Sequence, residues 1–133
     1  ETVSRTGPFT VVDPTEEGTF DPNAFGLVVD AVGGKATRAA ASATVAPGGV
    51  IIHIGLMDND GGLDVRKLTL QEVAFVGTYT YTMVDFRATI QALYSGTLGA
   101  LDWIECRNLA DGAQAFRDLC DGKVAAAKII LTT

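Results

Sequence analysis

Residues 25–34, FGLVVDAVGG, form an apolar run that ends in an acid and two glycines. Such a run is typical of a strand in a parallel sheet, where helices cover both faces. The pattern returns at 47–55, PGGVIIHIG, and an alanine-rich segment at 35–45 separates the two. Alanine favours helix and permits close packing on a sheet. We therefore predict a βαβ unit, with parallel strands at 27–30 and 50–54 and a right-handed helical crossover between them.

The rest of the chain also predicts alternating strands and helices. Residues 73–81 are rich in β-branched and aromatic side chains and predict a strand that is broken by Gly77. Residues 85–95 predict a helix, because apolar side chains recur at i, i+4, i+7 and i+8; they are Phe86, Ile90, Leu93 and Tyr94. Residues 1–8 are predicted to be irregular, 15–23 and 56–64 to be loops, and 9–12, 101–107 and 126–131 to be strands.

A last helix is predicted between two turn signals near the end of the chain. Asp111 is a suitable N-cap, and Gly122 lies where a helix would stop. The helix would run to about Asp121. Its apolar spacing predicts an inward face made of Ala113, Phe116, Leu119 and Cys120.

Composition excludes several classes of function. The chain has 133 residues and a net charge of −6, with no cluster of lysine and arginine, which argues against nucleic-acid binding. No apolar run approaches the roughly 18 residues that a membrane span needs. The beginning shows no signal-peptide pattern. Cys106 and Cys120 are too far apart for a CxxC motif, so we predict buried reduced thiols in a cytoplasmic protein, with one disulfide as the alternative.

Isolated polar residues give weaker signals. His53 is the only histidine and lies within a predicted strand, so we favour a packed or hydrogen-bonded histidine over a general base. Asp30 ends a strand where ligands bind in parallel sheets, and it is equally well interpreted as a polar anchor near a ligand or as a solvated acid. The acids at 58–64 lack the spacing of a calcium loop and predict a solvated loop.

The order of these pieces resembles one family. In sequence they are DAVGG, a helix, APGGVIIHIG, a long loop, VAFVGTYTYT, a helix ending in SG, a helix ending in DGK, and AAAKIIL. Over residues 9–133 this series is similar to the medium-chain dehydrogenase/reductase superfamily, which includes the zinc-dependent alcohol and polyol dehydrogenases. The resemblance implies an α/β fold, a partial Rossmann-type parallel sheet with flanking helices. Residues 1–95 would be the carboxy-terminal half of the nucleotide-binding domain, and 96–133 a segment that returns to the catalytic domain.

Other parts of the family pattern do not occur in this sequence. The chain contains no GxGxxG turn and lacks the family's zinc-binding residues. The resemblance thus implies a carboxy-terminal part, without the first βαβ half and the GroES-like catalytic domain. No catalytic residue or metal ligand would lie in this chain, and any zinc would belong to the catalytic domain. The cofactor of the intact protein would be NAD or NADP, since the residue that decides between them follows a strand outside this sequence.

The resemblance also implies which residues approach the cofactor, mostly through the main chain. One group lies beneath the adenosine ribose, a second along the nicotinamide, a third beside its carboxamide, and a lysine near the pyrophosphate. In that order the four groups are Ala31, Val32 and Gly33; Ile54, Gly55 and Leu56; Thr78, Tyr79 and Thr80; and Lys128. Each also has a structural interpretation: a glycine that ends a strand, a tyrosine that packs at an edge, or a surface lysine.

Two classes of function remain open. The first is the cofactor-binding portion of an NAD(P)-dependent oxidoreductase that acts on a small alcohol or carbonyl compound and is inactive as an isolated fragment. The second is a non-enzymatic α/β module for interaction or dimerisation. Family members pair edge strands into a continuous sheet, and the matching segment here, 73–81, has neither charge nor proline. We therefore expect a homo-oligomer formed through that strand.

Overall fold

The computed structural model describes residues 9–13, 16, 20–99 and 103–133. The chain divides into two compact units, the first from Val12 to Tyr81 and the second containing Thr82–Thr133. The first unit holds β1 (Phe25–Asp30), α1 (Lys35–Thr44), β2 (Val45–His53), α2 (Val65–Leu70) and β3 (Ala74–Gly77). The second holds α3 (Met83–Tyr94), β4 (Ile104–Asn108), a 3-10 turn (Leu109–Asp111), α4 (Gly112–Cys120) and β5 (Lys128–Thr132).

The sheet of the first unit has the order β1-β2-β3, and both pairs of neighbours are parallel. Asp30 pairs with His53, and His53 with Gly77, so the three strands end side by side. The register shifts between Phe25, which pairs with Val45, and Leu27, which pairs with Val50. As a result β2 begins at Val45, five residues before its predicted start. The predicted βαβ unit and the α/β fold class are confirmed.

The core of the first unit lies on one face of this sheet. Ile51 and Val45 are fully buried, and the cluster around them includes Ala41 of α1 and Leu68 of α2. Side chains alternate along a strand, so the other face carries Leu27 and Val29, which are 59% and 53% exposed. The prediction of a strand buried on both faces was therefore wrong for β1. An apolar run indicates that both faces can be covered, but not which faces this chain covers.

The strand predicted over 73–81 is shorter in the structure, where β3 spans only Ala74–Gly77. Within the part of the chain that the structure describes, its one partner is β2, which ends at His53 opposite Gly77. Beyond that pair no strand is available for Thr78 to Tyr81, and Thr80 takes a left-handed backbone angle, φ 53°. The composition favoured a strand, but the end of the partner strand limited it.

In the second unit, β4 and β5 form a parallel pair beside α4. An ion pair between Arg107 of β4 and Asp118 of α4, 2.7 Å long, fixes the strand face on which the helix lies. Ala115 is buried on that side, and Phe116 and Leu119 line a cavity against β5, although Phe116 is 71% exposed. The predicted inward face was wrong at Ala113 and Cys120, which are exposed.

Other predictions for the second unit and the beginning of the chain also need correction. Cys106 and Cys120 are free, as predicted, but both are exposed rather than buried. Cys106 points away from the α4 side because it alternates with Glu105 and Arg107 along β4. Residues 9–13 carry no regular secondary structure, so the strand predicted at 9–12 is absent. The prediction for 1–8 falls outside the described residues.

Candidate functional site

Three turns meet at the end of the sheet in the first unit. We call residues 31–34, 54–58 and 78–80 the carboxyl edge, because they follow the last residues of β1, β2 and β3. Ligands of parallel sheets bind at such an edge. Nine of the ten predicted cofactor residues lie there. The tenth, Lys128, begins β5 in the second unit, where it is exposed and pairs with Ile104.

Asp30 shapes the first turn. Its Oδ1 accepts hydrogen bonds from the backbone N–H groups of Val32 (3.1 Å) and Gly33 (2.8 Å). Its Oδ2 accepts one from the Thr37 hydroxyl (3.1 Å), at the start of α1. The residue is only 5% exposed, so the interpretation as a solvated acid was wrong. Its oxygens hold the turn rather than remaining free for a ligand.

These contacts keep Asp30 ionised. Burial by itself raises the pKa of its carboxyl, but hydrogen bonds from Gly33, Thr37 and Val32, with a contribution from the nearby His53, outweigh burial. The net result is a pKa below the ordinary value of 3.8. Hydrogen bonds that favour the charged form of an acid always act in this direction.

The first and second turns are in direct backbone contact through two glycines. An ideal Cβ on Gly33 would lie 2.0 Å from the Gly55 carbonyl oxygen, and one on Gly55 would lie 2.0 Å from the Val32 carbonyl carbon. The carbonyl of Asp30 accepts from the N–H groups of Ile54 (2.9 Å) and Gly55 (3.1 Å). The two predicted cofactor segments therefore form one continuous backbone surface.

The third turn is joined to the second through His53. The Thr78 N–H donates to the His53 carbonyl (2.9 Å), and the His53 ring packs on Phe75 with their centroids 5.3 Å apart. The Nε2 atom is buried, lies 3.6 Å from Asp30 Oδ2 and makes no hydrogen bond. The prediction of a packed strand histidine is confirmed.

The sequence analysis missed Arg38. Its guanidinium is buried beneath the carboxyl edge and binds the loop that follows the second turn, including the carboxylate of Asp58 (2.5 Å). The acidic loop is exposed at Asp58, as predicted, but the carboxylate also binds this guanidinium. A signal was present in the sequence: Arg38 precedes Ala41, Ser42 and Val45 by three, four and seven residues, which is the spacing of one helix face.

The chemistry of the carboxyl edge suits one part of a dinucleotide better than another. Val32, Ile54, Leu56 and Tyr79 expose between 44% and 80% of their surface there, which is an apolar surface for a flat ring. The N–H groups of Val32, Gly33, Ile54 and Gly55 are all used internally, so these four donors are not free for a pyrophosphate. The described residues contain no metal-binding group of three or more His, Cys, Asp or Glu side chains.

Comparison with known proteins gives a fold but no family. No family model matches this chain, and no curated protein sequence does. Among solved structures, the alcohol dehydrogenase from Thermus sp. ATN1 has a TM-score of 0.71 at 20% identity, and the match covers 98% of this chain and 35% of the other. The acetophenone reductase from Geotrichum candidum, in complex with NAD, gives 0.71 at 20% identity over 82% and 32% of the two chains.

L-idonate 5-dehydrogenase from Escherichia coli is similar in the same way, with a TM-score of 0.69 at 18% identity over 89% of this chain and 33% of the other. The chain thus spans about a third of the length of the structures it matches. At these identities the similarity establishes the fold, the Rossmann-like portion of dehydrogenases. In the described ranges, no helix is long and apolar enough to cross a membrane.

Proposed function

We propose that this chain is the carboxy-terminal part of the cofactor-binding region of an NAD(P)-dependent oxidoreductase of the medium-chain dehydrogenase/reductase superfamily. The observation that carries the proposal is the contact of Gly33 with Gly55, which joins two turns at the carboxyl edge of a parallel sheet. Dinucleotides bind at the carboxyl ends of parallel strands, where glycines allow the main chain to approach the ligand closely. The whole enzyme would act on a small alcohol or carbonyl compound in the cytoplasm.

Residues of the carboxyl edge would hold the ring portions of NAD or NADP. Ala31, Val32 and Gly33 would lie under the adenosine ribose, and the segments 54–56 and 78–80 along the nicotinamide. When bound, the cofactor would carry out hydride transfer. The residues of this chain would provide the shaped, apolar surface on which the rings lie. Lys128 is the one proposed contact to the pyrophosphate, and its exposed position in β5 leaves its ammonium accessible.

The isolated chain should bind NADH weakly and reduce no carbonyl compound. The reason is the absence of a glycine-rich turn at a helix N-terminus, which provides most of the pyrophosphate site in such folds. Calorimetry should detect no micromolar affinity. Millimolar NADH should still shift the amide NMR signals of residues 32–33, 54–57 and 78–80, because these line the proposed ring site.

The control for this titration is ATP, which shares the adenosine and phosphates of NADH but has no nicotinamide. We expect ATP to leave the signals at 54–57 and 78–80 in place. Equal shifts with both ligands, or no shifts at the carboxyl edge with NADH, would contradict the proposed function. Micromolar binding of NADH would instead show that the chain carries a complete site of its own.

The second candidate function is an association module, and the open edge of β3 favours it. On this strand Phe75 and Val76 are 39% and 43% exposed, and β2 is the only strand among the described residues that pairs with it. Exposed apolar edges pair with other chains unless a charge or proline prevents it. This property is compatible with the enzyme proposal, since a dehydrogenase can also dimerise.

We therefore expect a homodimer or larger assembly that depends on β3. Val76→Lys should weaken the association about tenfold or more, because a lysine on an edge strand opposes pairing with another edge. The matched control is Val65→Lys on α2, an equally apolar residue that is 64% exposed. Light scattering decides the matter: a wild-type mass of 13.9 kDa at high concentration, or equal effects of both lysines, would refute the assembly.

A further inference from the structure

We propose that Arg38 is a positioning residue for the carboxyl edge, which fixes the first two turns in the arrangement that receives the cofactor. The inference rests on the proposed function, and it concerns a residue that the family resemblance did not single out. Arg38 lies in α1, behind the turns rather than at their surface, and it is 8% exposed. It would act on the cofactor only through the backbone that it holds.

Every donor of the Arg38 guanidinium has a partner. Nε donates to the Gly61 carbonyl (2.6 Å), and one terminal nitrogen donates to the carbonyls of Gly33 (2.7 Å) and Asp58 (3.1 Å). The other terminal nitrogen donates to Asp58 Oδ1 (2.5 Å) and to the Asp60 carbonyl (2.9 Å). Arginine has five N–H donors, and all five are satisfied here.

The acceptors come from both sides of the carboxyl edge. Gly33 belongs to the first turn, while 58–61 continues the second turn into the loop before α2. The Gly33 carbonyl also accepts the Asp58 N–H (3.2 Å), and the Val32 carbonyl accepts the Met57 N–H (3.1 Å). Leu56 and Met57 are therefore held from both ends, by the first turn on one side and by the guanidinium on the other.

Asp58 completes the connection. Its second oxygen accepts the Lys35 N–H (3.2 Å) at the start of α1, and its first oxygen accepts the Asp60 N–H (3.2 Å). The carboxylate thus links the helix, the guanidinium and the loop. Four of the five acceptors of Arg38 are carbonyl oxygens and one is a carboxylate oxygen. The positions of the N–H donors therefore matter for this contact as much as the positive charge of the side chain.

Lysine cannot reproduce this arrangement. An ammonium group has three donors around one atom, whereas the guanidinium spreads five donors over a plane. Arg38→Lys should keep the positive charge but replace at most three of the five hydrogen bonds of the guanidinium. The loop 57–61 should then open more often, while the sheet behind it, which depends on Ile51 and Val45, stays formed.

The test is amide hydrogen exchange and NADH titration of the 133-residue chain by NMR. In Arg38→Lys we expect exchange at Met57 and Asp58 to be about tenfold faster, with the amide of Ile52 unchanged. Shifts induced by millimolar NADH at 54–57 should shrink, while those at 78–80 persist. Arg66→Lys, the same change at an exposed residue of α2, is the control and should alter neither readout.

Should Arg38→Lys fail to fold, Asp58→Ala provides the second variant, since this side chain is 37% exposed and its loss removes one of the five acceptors of Arg38 while the four carbonyls remain. Unchanged exchange at Met57 and Asp58 in the variants would overturn the positioning role. Faster exchange with full NADH shifts would overturn it too, because the turns would then not need Arg38. If wild type itself shows no NADH shifts, the proposed function fails, whatever the exchange rates show.

Discussion

Gly55→Ala is expected to destabilise the first unit strongly. The added methyl carbon would lie 2.0 Å from the Val32 carbonyl carbon and 2.3 Å from the Gly33 nitrogen. Both are backbone atoms, so no flexible side chain can move aside, and the two turns would have to separate. We expect a loss of more than about 3 kcal/mol in the free energy of unfolding, which is at the upper end for a single added carbon. Urea denaturation followed by circular dichroism measures it.

Two other glycines of the same sheet provide controls. A Cβ on Gly26 in β1 or on Gly77 in β3 would meet no atom within 4 Å. Neither residue has a positive φ, so alanine should fit there and change stability by less than about 1 kcal/mol. If Gly55→Ala unfolded at the same urea concentration as Gly77→Ala, the contact between the turns would not exist in solution.

The sequence was sufficient for the βαβ unit because its signals are local. The apolar run before Asp30 and the alanines of α1 are adjacent in the chain, and the glycines at 33 and 34 mark the turn between them. Short, dense patterns of this kind determine the type of an element. The resemblance then placed nine of its ten cofactor residues at one edge of one sheet, a consequence of the parallel order of the strands.

Long-range contacts explain what the sequence did not reveal. The helix-face spacing indicates that Arg38 points inward, but its acceptors on Asp58, Asp60 and Gly61 lie 20 to 23 residues away, and no local pattern identifies them. The length of β3 depends on where its partner ends, at His53. The face that α4 turns inward depends on the ion pair of Arg107 with Asp118, eleven residues apart. Each case is decided by a partner elsewhere in the chain.

Asp30→Asn is expected to cost about 2 kcal/mol at neutral pH, the magnitude of hydrogen bonds made to a charged group. An asparagine oxygen can still accept from Val32 and Gly33, but its amide replaces the oxygen that accepts from the Thr37 hydroxyl. The variant should stay folded, because the side chain keeps its size and most of its contacts. Urea denaturation at several pH values measures the difference from wild type.

The pH dependence of that difference follows from the lowered pKa of Asp30. Its carboxylate stabilises the fold fully above the ordinary value of 3.8, and this contribution is lost as the pH falls through the lower pKa of the folded state. Wild type and Asp30→Asn should therefore differ most at neutral pH and converge in acid below 3.8. Asp21→Asn, a change at an exposed acid, should leave the free energy of unfolding close to that of wild type at every pH. A gap between wild type and Asp30→Asn that stayed constant into acid would mean that shape, and not the charge of Asp30, holds the first turn.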